Sequence, residues 1–313
     1  MAVAVFAYLI SQTNLQKMVQ YARSADLIWV AGAFAIVLSI YFGRAVSFCV
    51  LCAARASLPV VRLFKINLVS AFFSTFLPTQ VGGDVVKGVY LVPYFQGVDQ
   101  TYASLVVHRV IGGIGTLLVS GVALAFWRLP HPQALQLIAV ACIALGIITY
   151  MSVSAVTPIE RQLVRLSSAS NRVVRWSAKL LYSVSQFRHE RARLLVALGM
   201  SMIDTLQGVL VYAMLAIAVQ CPMTVLDLVL AGSISQLSVL LALTPAGIGV
   251  TEGAFVAMCM VLGVSKEPAI VISLLMRLQL TAAALIGGCV YMSMPLGPRS
   301  KRESLDSVQA EHY

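Results

Sequence analysis

A small set of ionisable residues lies inside otherwise apolar stretches of this sequence. Two are carboxylates, Asp84 and Glu252, and three are cations, Lys87, Arg109 and Arg277. A charge at membrane depth costs on the order of 2.5–3.5 kcal/mol on insertion scales unless it is paired or faces a polar cavity. We therefore expect these side chains to point inward and to bind an anionic or zwitterionic headgroup, above all its phosphate.

Both carboxylates adjoin a break in the apolar pattern. "LPTQVGGD" ends at Asp84, and "LTPAGIGVTEG" contains Glu252. Irregular backbone at membrane depth is tolerated only where protein or water satisfies its peptide groups, and glycine permits a tight turn there. The residues that shape the two breaks are Pro78, Gly82, Gly83, Pro245, Gly247 and Gly249.

Asp84 has two compatible roles open to it. A helix that restarts at Asp84 presents its N-terminal amides to an anion, and Asp84 itself is a good N-cap residue. From their positions within the apolar runs, Arg109 and Asp84 are expected to lie at similar depth in the membrane, and so are Arg277 and Glu252. We therefore expect two carboxylate–arginine pairs.

Three other polar residues lie at membrane depth. Arg44 either pairs in the interior or extends its side chain toward the inner interface. His108 either joins the site or is an interfacial histidine, and Lys87 also has the length to extend inward. Asp204 should face inward and pair.

The composition places these residues in an integral membrane protein. The chain has 313 residues, of which 59% are hydrophobic and 11% are charged, whereas soluble domains average about 25% charged residues. The net charge of +10 comes from basic residues that flank apolar runs, which argues against a nucleic-acid partner.

Metal, cofactor and catalytic motifs are not evident. The six cysteines include one CxxC, Cys49 and Cys52, without a second ligand pair, and no His, Asp or Glu cluster has metal-ligand spacing. No Ser-His-Asp, Walker or Rossmann pattern is present. We expect a protein without cofactors that is not an enzyme.

The apolar runs predict an all-α polytopic protein with about six full spans. A sixth span begins near residue 226 and breaks near 244, and residues 66–77 are apolar over only about 18 Å of helix. The five clear spans are residues 27–52, 103–127, 134–156, 194–219 and 269–294.

Basic residues set the predicted orientation. Segment 157–193 carries eight Arg and Lys residues, and it is predicted to be cytoplasmic together with residues 53–65 and the tail 295–313. Segment 66–100 then enters and leaves at the inner face, and 226–263 at the outer face. These two segments are predicted to be oppositely oriented re-entrant hairpins that form an inverted repeat.

The chain divides into three parts. Residues 1–26 form an N-terminal stub, either interfacial or the remainder of a shortened first helix. Residues 27–294 form the transmembrane domain, and 295–313 form a polar cytoplasmic tail. Within the domain, segment 157–193 is either an amphipathic helix on the anionic inner leaflet or a solvated helical connector.

Three motifs occur in a characteristic order: "FLPTQVGGDVVKGVYL", then "HRVIGGIGTLL", then "LTPAGIGVTEGAF" with a closing "LIGGCVYM". Together they resemble the lysylphosphatidylglycerol synthase transmembrane region family, the flippase-like domain also found at the N-terminus of the multiple peptide resistance factor. The resemblance runs from about residue 27 to 294. It implies a membrane domain that moves lipids or accompanies enzymes of glycosyl transfer, hopanoid synthesis or polyprenyl-linked sugars.

The sequence departs from this family's pattern at several points. The family often has arginine where Lys87 stands and an acidic residue where His108 stands. The soluble aminoacyl-transferase domain that makes lysyl-lipid is not among these 313 residues. We therefore expect that the chain does not make that lipid by itself.

The sequence predicts an inner-membrane flippase-like protein with a cytoplasmic C-terminus. It would pass an anionic, zwitterionic or polyprenyl-linked lipid through a polar cavity between the hairpins. Lys87, Arg109 and Arg277 would bind the phosphate, while Asp84 and Glu252 would balance their charge or contact a cationic headgroup.

Two other functions remain open at this point. One is a non-transporting accessory subunit that serves a glycosyltransferase or another lipid-synthesis enzyme, docked through segment 157–193. The other is an intramembrane lipid-modifying enzyme with Asp84 or Glu252 as its base, which ranks third because no nucleophile is placed beside either carboxylate.

Overall fold

A computed structural model of the chain describes residues 15–77, 81–125, 143–144, 179, 182–241 and 247–294. The ordered elements in these parts are helices. The α-helices are α1 (Leu15–Arg23), α2 (Leu27–Cys52), α3 (Val60–Phe76), α4 (Val81–Leu91), α5 (Val98–Ala125), α6 (Arg191–Ala218), α7 (Val225–Leu241), α8 (Val250–Val261) and α9 (Lys266–Ser293), with short 3-10 helices at Val92–Tyr94 and Gln186–Glu190.

Four of these helices, α2, α5, α6 and α9, are long and apolar enough to cross a membrane. Each has 26 or 28 residues, about 40 Å of helix, against a hydrocarbon core of about 30 Å. The first and last residues of each helix lie within a few residues of the predicted bounds of the span. The remaining predicted segments lie wholly or largely outside the described residues: the span 134–156, the basic segment 157–193, the N-terminal stub and the tail.

The other apolar helices form two short pairs. Helices α3 and α7 have 17 residues each, about 25 Å, and α4 and α8 have 11 and 12 residues, about 17 Å. The apolar segment predicted at 66–77 is the second part of α3, which begins earlier because Pro59 occupies its N-cap. None of these four helices spans a bilayer core by itself.

Each short pair is an antiparallel hairpin. Near the break between α3 and α4, Gly83 lies against Ser70 and Ser74. At the other end, the Arg62 guanidinium stands 5.3 Å from the ring centroid of Tyr94.

Helices α7 and α8 are arranged in the same way. Near their break, Ser235 Oγ donates to the Thr251 carbonyl at 3.0 Å. At the far end, Asp227 lies within electrostatic range of Cys259. The second hairpin therefore also returns to the end from which it starts.

The helix ends meet at two opposite faces of the molecule. At the first, the Arg55 guanidinium contacts Glu190 at 2.9 Å and lies 3.5 Å from the Phe187 ring centroid, and Ser183 donates to Asp99 at 3.3 Å. We call this the Arg55 face. It joins the end of α2 and the hairpin α3–α4 to the starts of α5 and α6.

At the opposite end, the Asp26 amide donates to the Ala218 carbonyl at 3.0 Å. This contact joins the start of α2 to the end of α6, and we call its surroundings the Asp26 face. Because α7 follows α6 after a short turn, the hairpin α7–α8 starts and ends at this face.

The helices α2–α5 and α6–α9 follow the same order: long, short, shorter, long. Their packing matches as well, since α2 packs on α6, α3 on α9 and α7 on α5. Gly287 of α9 lies directly against the Leu68 carbonyl of α3, and Ser120 of α5 contacts the Ser233 carbonyl of α7 at 3.5 Å. The two halves are therefore built alike.

The contacts of Arg55 support a stability prediction. Burial lowers the pKa of the Arg55 guanidinium, and the neighbouring Glu190 carboxylate opposes that effect. We expect Arg55→Ala to cost about 2 kcal/mol, because the largely buried Glu190 loses the more buried of its two cations and the Phe187 ring loses its cation–π contact. The apparent melting temperature in detergent should fall by about 4–8 °C.

Arg193→Ala is the matched control for Arg55→Ala. Arg193 also contacts Glu190, at 2.8 Å, but its side chain is much more exposed, so its loss should change the melting temperature by a degree or two at most. Equal losses in the two variants would contradict the role of Arg55.

Candidate functional site

The first carboxylate–arginine pair joins α4 to α5. Asp84 Oδ2 accepts a hydrogen bond from Nη1 of Arg109, 25 residues further along the chain. The Arg109 and Asp84 side chains are 51% and 37% exposed, so this pair lies at an open surface.

The predicted N-cap role of Asp84 is wrong. Helix α4 begins at Val81 and places Asp84 inside its first turn. The glycines explain the earlier start, because a Cβ at Gly83 would overlap the Ser70 carbonyl and the Ser74 hydroxyl of α3. Glycine lets α4 pack directly on α3 there, and the Asp84 carboxylate binds Arg109.

The second pair joins α8 to α9 at the same separation. Glu252 Oε1 accepts a hydrogen bond from Nε of Arg277, also 25 residues further along. Glu252 Oε2 accepts from the Gly249 amide at 2.7 Å. Arg277 Nη2 donates to the Thr251 hydroxyl at 2.7 Å. With side-chain exposures of 17% for Arg277 and 5% for Glu252, this pair is far more buried than the first.

Glycine shapes the turn that precedes α8. Gly247 and Gly249 have φ values of 69° and 83°, a conformation that side chains with a Cβ rarely adopt. The Gly249 amide lies at the N-terminus of α8 and is satisfied by Glu252. Pro78 and Pro245 lie outside the described residues.

Both pairs expected from depth along the chain are therefore present. They occupy equivalent places in the two halves, each between the second helix of a hairpin and the long helix that follows. In each pair the carboxylate holds its arginine in a fixed position. That a substrate binds there remains a prediction.

Lys87 lies one turn after Asp84 and is 7% exposed. Its ammonium group stands 4.7 Å from the centroid of the Phe48 ring of α2, a cation–π contact. The His108 ring meets the same Phe48 ring edge-on, with centroids 5.3 Å apart. Lys87 is thus held in the interior and does not extend to the interface.

Arg44 pairs with Asp204 across α2 and α6, with Nε and Oδ2 3.5 Å apart. The sequence indicated an inward-facing Asp204 but did not identify its partner. A usable signal was present, because Arg44 is the only charged residue of α2 and Asp204 is the only acidic residue of α6. Arg44 also lies within electrostatic range of Lys87.

A polar network around Thr251 was missed from the sequence. Tyr212 and Ser235 share a hydrogen bond of 2.8 Å, and Ser235 in turn contacts the Thr251 carbonyl. The Tyr212 ring stacks on Phe255, with centroids 4.4 Å apart and planes 11° apart. The available signal was a row of polar residues, "SISQLS", inside an otherwise apolar helix.

Tyr41 connects the two halves of the site. It lies within electrostatic range of both Arg44 and Arg277. Charged residues of the two halves therefore lie near the same partly buried tyrosine of an apolar protein. Among the described residues, no group of three or more His, Cys, Asp or Glu side chains is placed to hold a metal ion.

A family model described as "Lysylphosphatidylglycerol synthase TM region" matches residues 1–288. The match covers all the described helices except the last residues of α9, and it also includes residues 1–26, which precede the motifs seen in the sequence. No curated protein matches the chain.

Proposed function

The chain belongs to the lysylphosphatidylglycerol synthase transmembrane region family, and we propose that it moves a lipid headgroup across the membrane along the polar path between its two hairpins. The observation that carries this proposal is the presence of two carboxylate–arginine pairs at equivalent places in the two halves. Charges at this depth are costly, and they suit a headgroup that crosses while its acyl chains stay in lipid.

The hairpins support this proposal, since they enter the membrane from opposite sides in our reading. Helices α3–α4 start and end at the Arg55 face, whereas α7–α8 start and end at the Asp26 face. Neither pair contains a helix long enough to cross. Re-entrant helices that form an inverted repeat and meet near the midplane are a recurrent way to build a transport site.

The substrate in this proposal is an anionic or zwitterionic phospholipid or a polyprenyl-phosphate-linked lipid. The path offers cations for a phosphate and carboxylates for a cationic headgroup. The protein acts in the inner membrane, with the Arg55 face cytoplasmic because basic residues gather on that side. Transport is downhill or coupled to an ion.

Transbilayer transfer in proteoliposomes tests this function. Vesicles hold purified protein and headgroup-labelled fluorescent phosphatidylglycerol, and an impermeant reductant reports which leaflet the label occupies. We expect faster transfer than in protein-free vesicles. The double variant Asp84→Asn with Glu252→Gln should insert in the membrane yet transfer more slowly, and unchanged transfer in that variant would remove the carboxylates from the mechanism.

The proposed orientation is tested by thiol labelling of intact cells. We expect an impermeant maleimide to label Val225→Cys, at the exposed start of α7, and to spare Ser57→Cys, in the exposed turn after α2. The native Cys221 is a poor reporter because it is buried, and burial raises the pKa of its thiol. The reverse labelling pattern would invert the assigned topology.

A further inference from the structure

Lys87 is the point at which the likeness between the two halves fails. Glu252 lies 168 residues after Asp84, and Arg277 lies 168 residues after Arg109. The same offset takes Lys87 to Phe255. The contacts agree with this match, because Phe255 stacks on Tyr212 of α6 as Lys87 stands over Phe48 of α2.

The position therefore does not require a cation for packing. In the half that contains α6–α9, the stacked rings of Phe255 and Tyr212 occupy this position. In the half that contains α2–α5, one ring faces a buried ammonium group. The neighbouring His108 also has an apolar equivalent in the other half, because Met276 lies 168 residues after it. The α2–α5 half thus has polar residues, Lys87 and His108, where the other half has apolar ones.

The charges around the two equivalent positions also differ. Around Lys87 lie Arg44 paired with Asp204 and Arg109 paired with Asp84, so Lys87 leaves one positive charge in excess. At the equivalent place between α8 and α9, the charges of Glu252 and Arg277 cancel. Among the described residues, no carboxylate contacts Lys87.

A buried cation that no carboxylate contacts is costly, even with Asp84 one turn away and the Phe48 ring beside it, so an anion from outside the chain is the natural partner. We infer that Lys87 is the anion-binding residue of the headgroup site, that it binds the phosphodiester of a lipid, and that only the α2–α5 half carries such a site. A phosphodiester has one negative charge, which matches the excess, whereas a phosphate monoester carries about 1.5–2 charges at pH 7. This inference rests on the proposed function and assigns the substrate class of the same site.

The inference changes the roles of the arginines. Arg109 and Arg277 each bind a carboxylate of this chain, so their charge is already compensated. They act as positioning residues that fix Asp84 and Glu252 along the path. Lys87 binds the phosphate, with Arg44 nearby to add to the positive potential.

Lipid-dependent thermal stabilisation in detergent tests the site without requiring transport. The probes are phosphatidylglycerol, diacylglycerol and inorganic phosphate. The variants are Lys87→Met, Lys87→Arg and, as a matched control, Lys65→Met, which removes the same charge at an exposed position of α3. We expect Lys87→Met to fold, because an apolar ring occupies the equivalent place and replacing a buried charge by an apolar group is often neutral.

The wild type should be stabilised by phosphatidylglycerol and not by diacylglycerol. Lys87→Met should bind phosphatidylglycerol about tenfold more weakly or worse, as expected for a lost hydrogen bond to a charged group. Lys87→Arg should retain most of the affinity, and Lys65→Met should match the wild type. Unchanged affinity in Lys87→Met would overturn the assignment. Equal Lys87-dependent stabilisation by inorganic phosphate would also overturn it, by identifying a free anion as the ligand.

The failure of this inference is distinguishable from failure of the proposed function. If Lys87→Met binds and transfers phosphatidylglycerol as the wild type does, the site assignment is wrong and transport stands. If the wild type transfers no lipid but binds phosphatidylglycerol through Lys87, transport is wrong and the phosphodiester site stands.

Discussion

Replacing Glu252 by glutamine is expected to lower headgroup transfer at least tenfold and to destabilise the protein. The double variant Glu252→Gln with Arg277→Gln should recover stability but not transfer. The physical reason is burial, since removing one partner of a buried ion pair costs about 3–5 kcal/mol. Some solvent reaches Arg277, so we expect the lower end of that range.

The double variant separates the structural role of the pair from its function. Without either charge, no buried ion is left uncompensated, and glutamine at 252 still accepts the hydrogen bond of the Gly249 amide. The apparent melting temperature in detergent reports stability, and the proteoliposome assay reports transfer. Wild-type transfer by the double variant would show that the pair only supports the fold.

The pair Asp84–Arg109 provides a comparison within the same molecule. Both side chains are substantially exposed, and exposed ion pairs contribute little to stability. Asp84→Asn should therefore reduce transfer with a much smaller change in melting temperature than Glu252→Gln. A larger loss of stability at Asp84 than at Glu252 would contradict the assigned burial of the two pairs.

Gly287→Ala is expected to have the largest effect on folding. Gly287 lies where α9 crosses α3, and a Cβ there would overlap the Leu68 carbonyl of the backbone. A side chain could change rotamer to relieve this overlap, but a backbone carbonyl cannot, so the two helices must move apart. We expect a loss of about 3 kcal/mol or more, since overpacking alone costs about 1–3 kcal/mol.

Gly199→Ala is the control for this substitution. Gly199 lies in α6, and an added Cβ would meet nothing within 4 Å. Alanine also favours the helix by up to about 1 kcal/mol relative to glycine, so this variant should be neutral or slightly more stable. Melting curves and the yield of monodisperse protein in detergent compare the two. Equal stability of both variants would contradict the close crossing of α3 and α9.

Much of the fold could be predicted because the membrane imposes simple rules. A span needs a long apolar run, and this placed α2, α5, α6 and α9 within a few residues of their bounds. The positions of proline and glycine indicated the breaks after α3 and α7. The start of α4 was misplaced because Gly82 and Gly83 were read as part of the turn, whereas Gly83 lets the helix pack on α3.

The site was only partly predictable. Depth along a helix correctly paired Asp84 with Arg109 and Glu252 with Arg277, because partners must lie at similar depth in the membrane. Contacts such as Tyr212 with Phe255 depend on where helices cross and which way each face turns. The sequence alone does not supply those crossings.

The two halves share the features that build a carboxylate–arginine pair, so each half contains one. The halves differ at a few positions near these pairs. The shared parts are a hairpin, a carboxylate near the start of its second helix and an arginine on the next long helix. The α2–α5 half adds Lys87 and His108, where the other half has Phe255 and Met276. In our account, the shared parts build the path and the added cation selects the headgroup.

Transfer of a labelled lipid by the purified wild-type chain tests the central claim most directly. Vesicles with and without the protein are loaded in parallel with headgroup-labelled phosphatidylglycerol and with a polyprenyl-phosphate probe, and the label reaching the opposite leaflet is followed over time. The account predicts protein-dependent transfer of at least one probe. Transfer of neither probe by folded protein would contradict lipid translocation and favour an accessory subunit of a lipid-modifying enzyme.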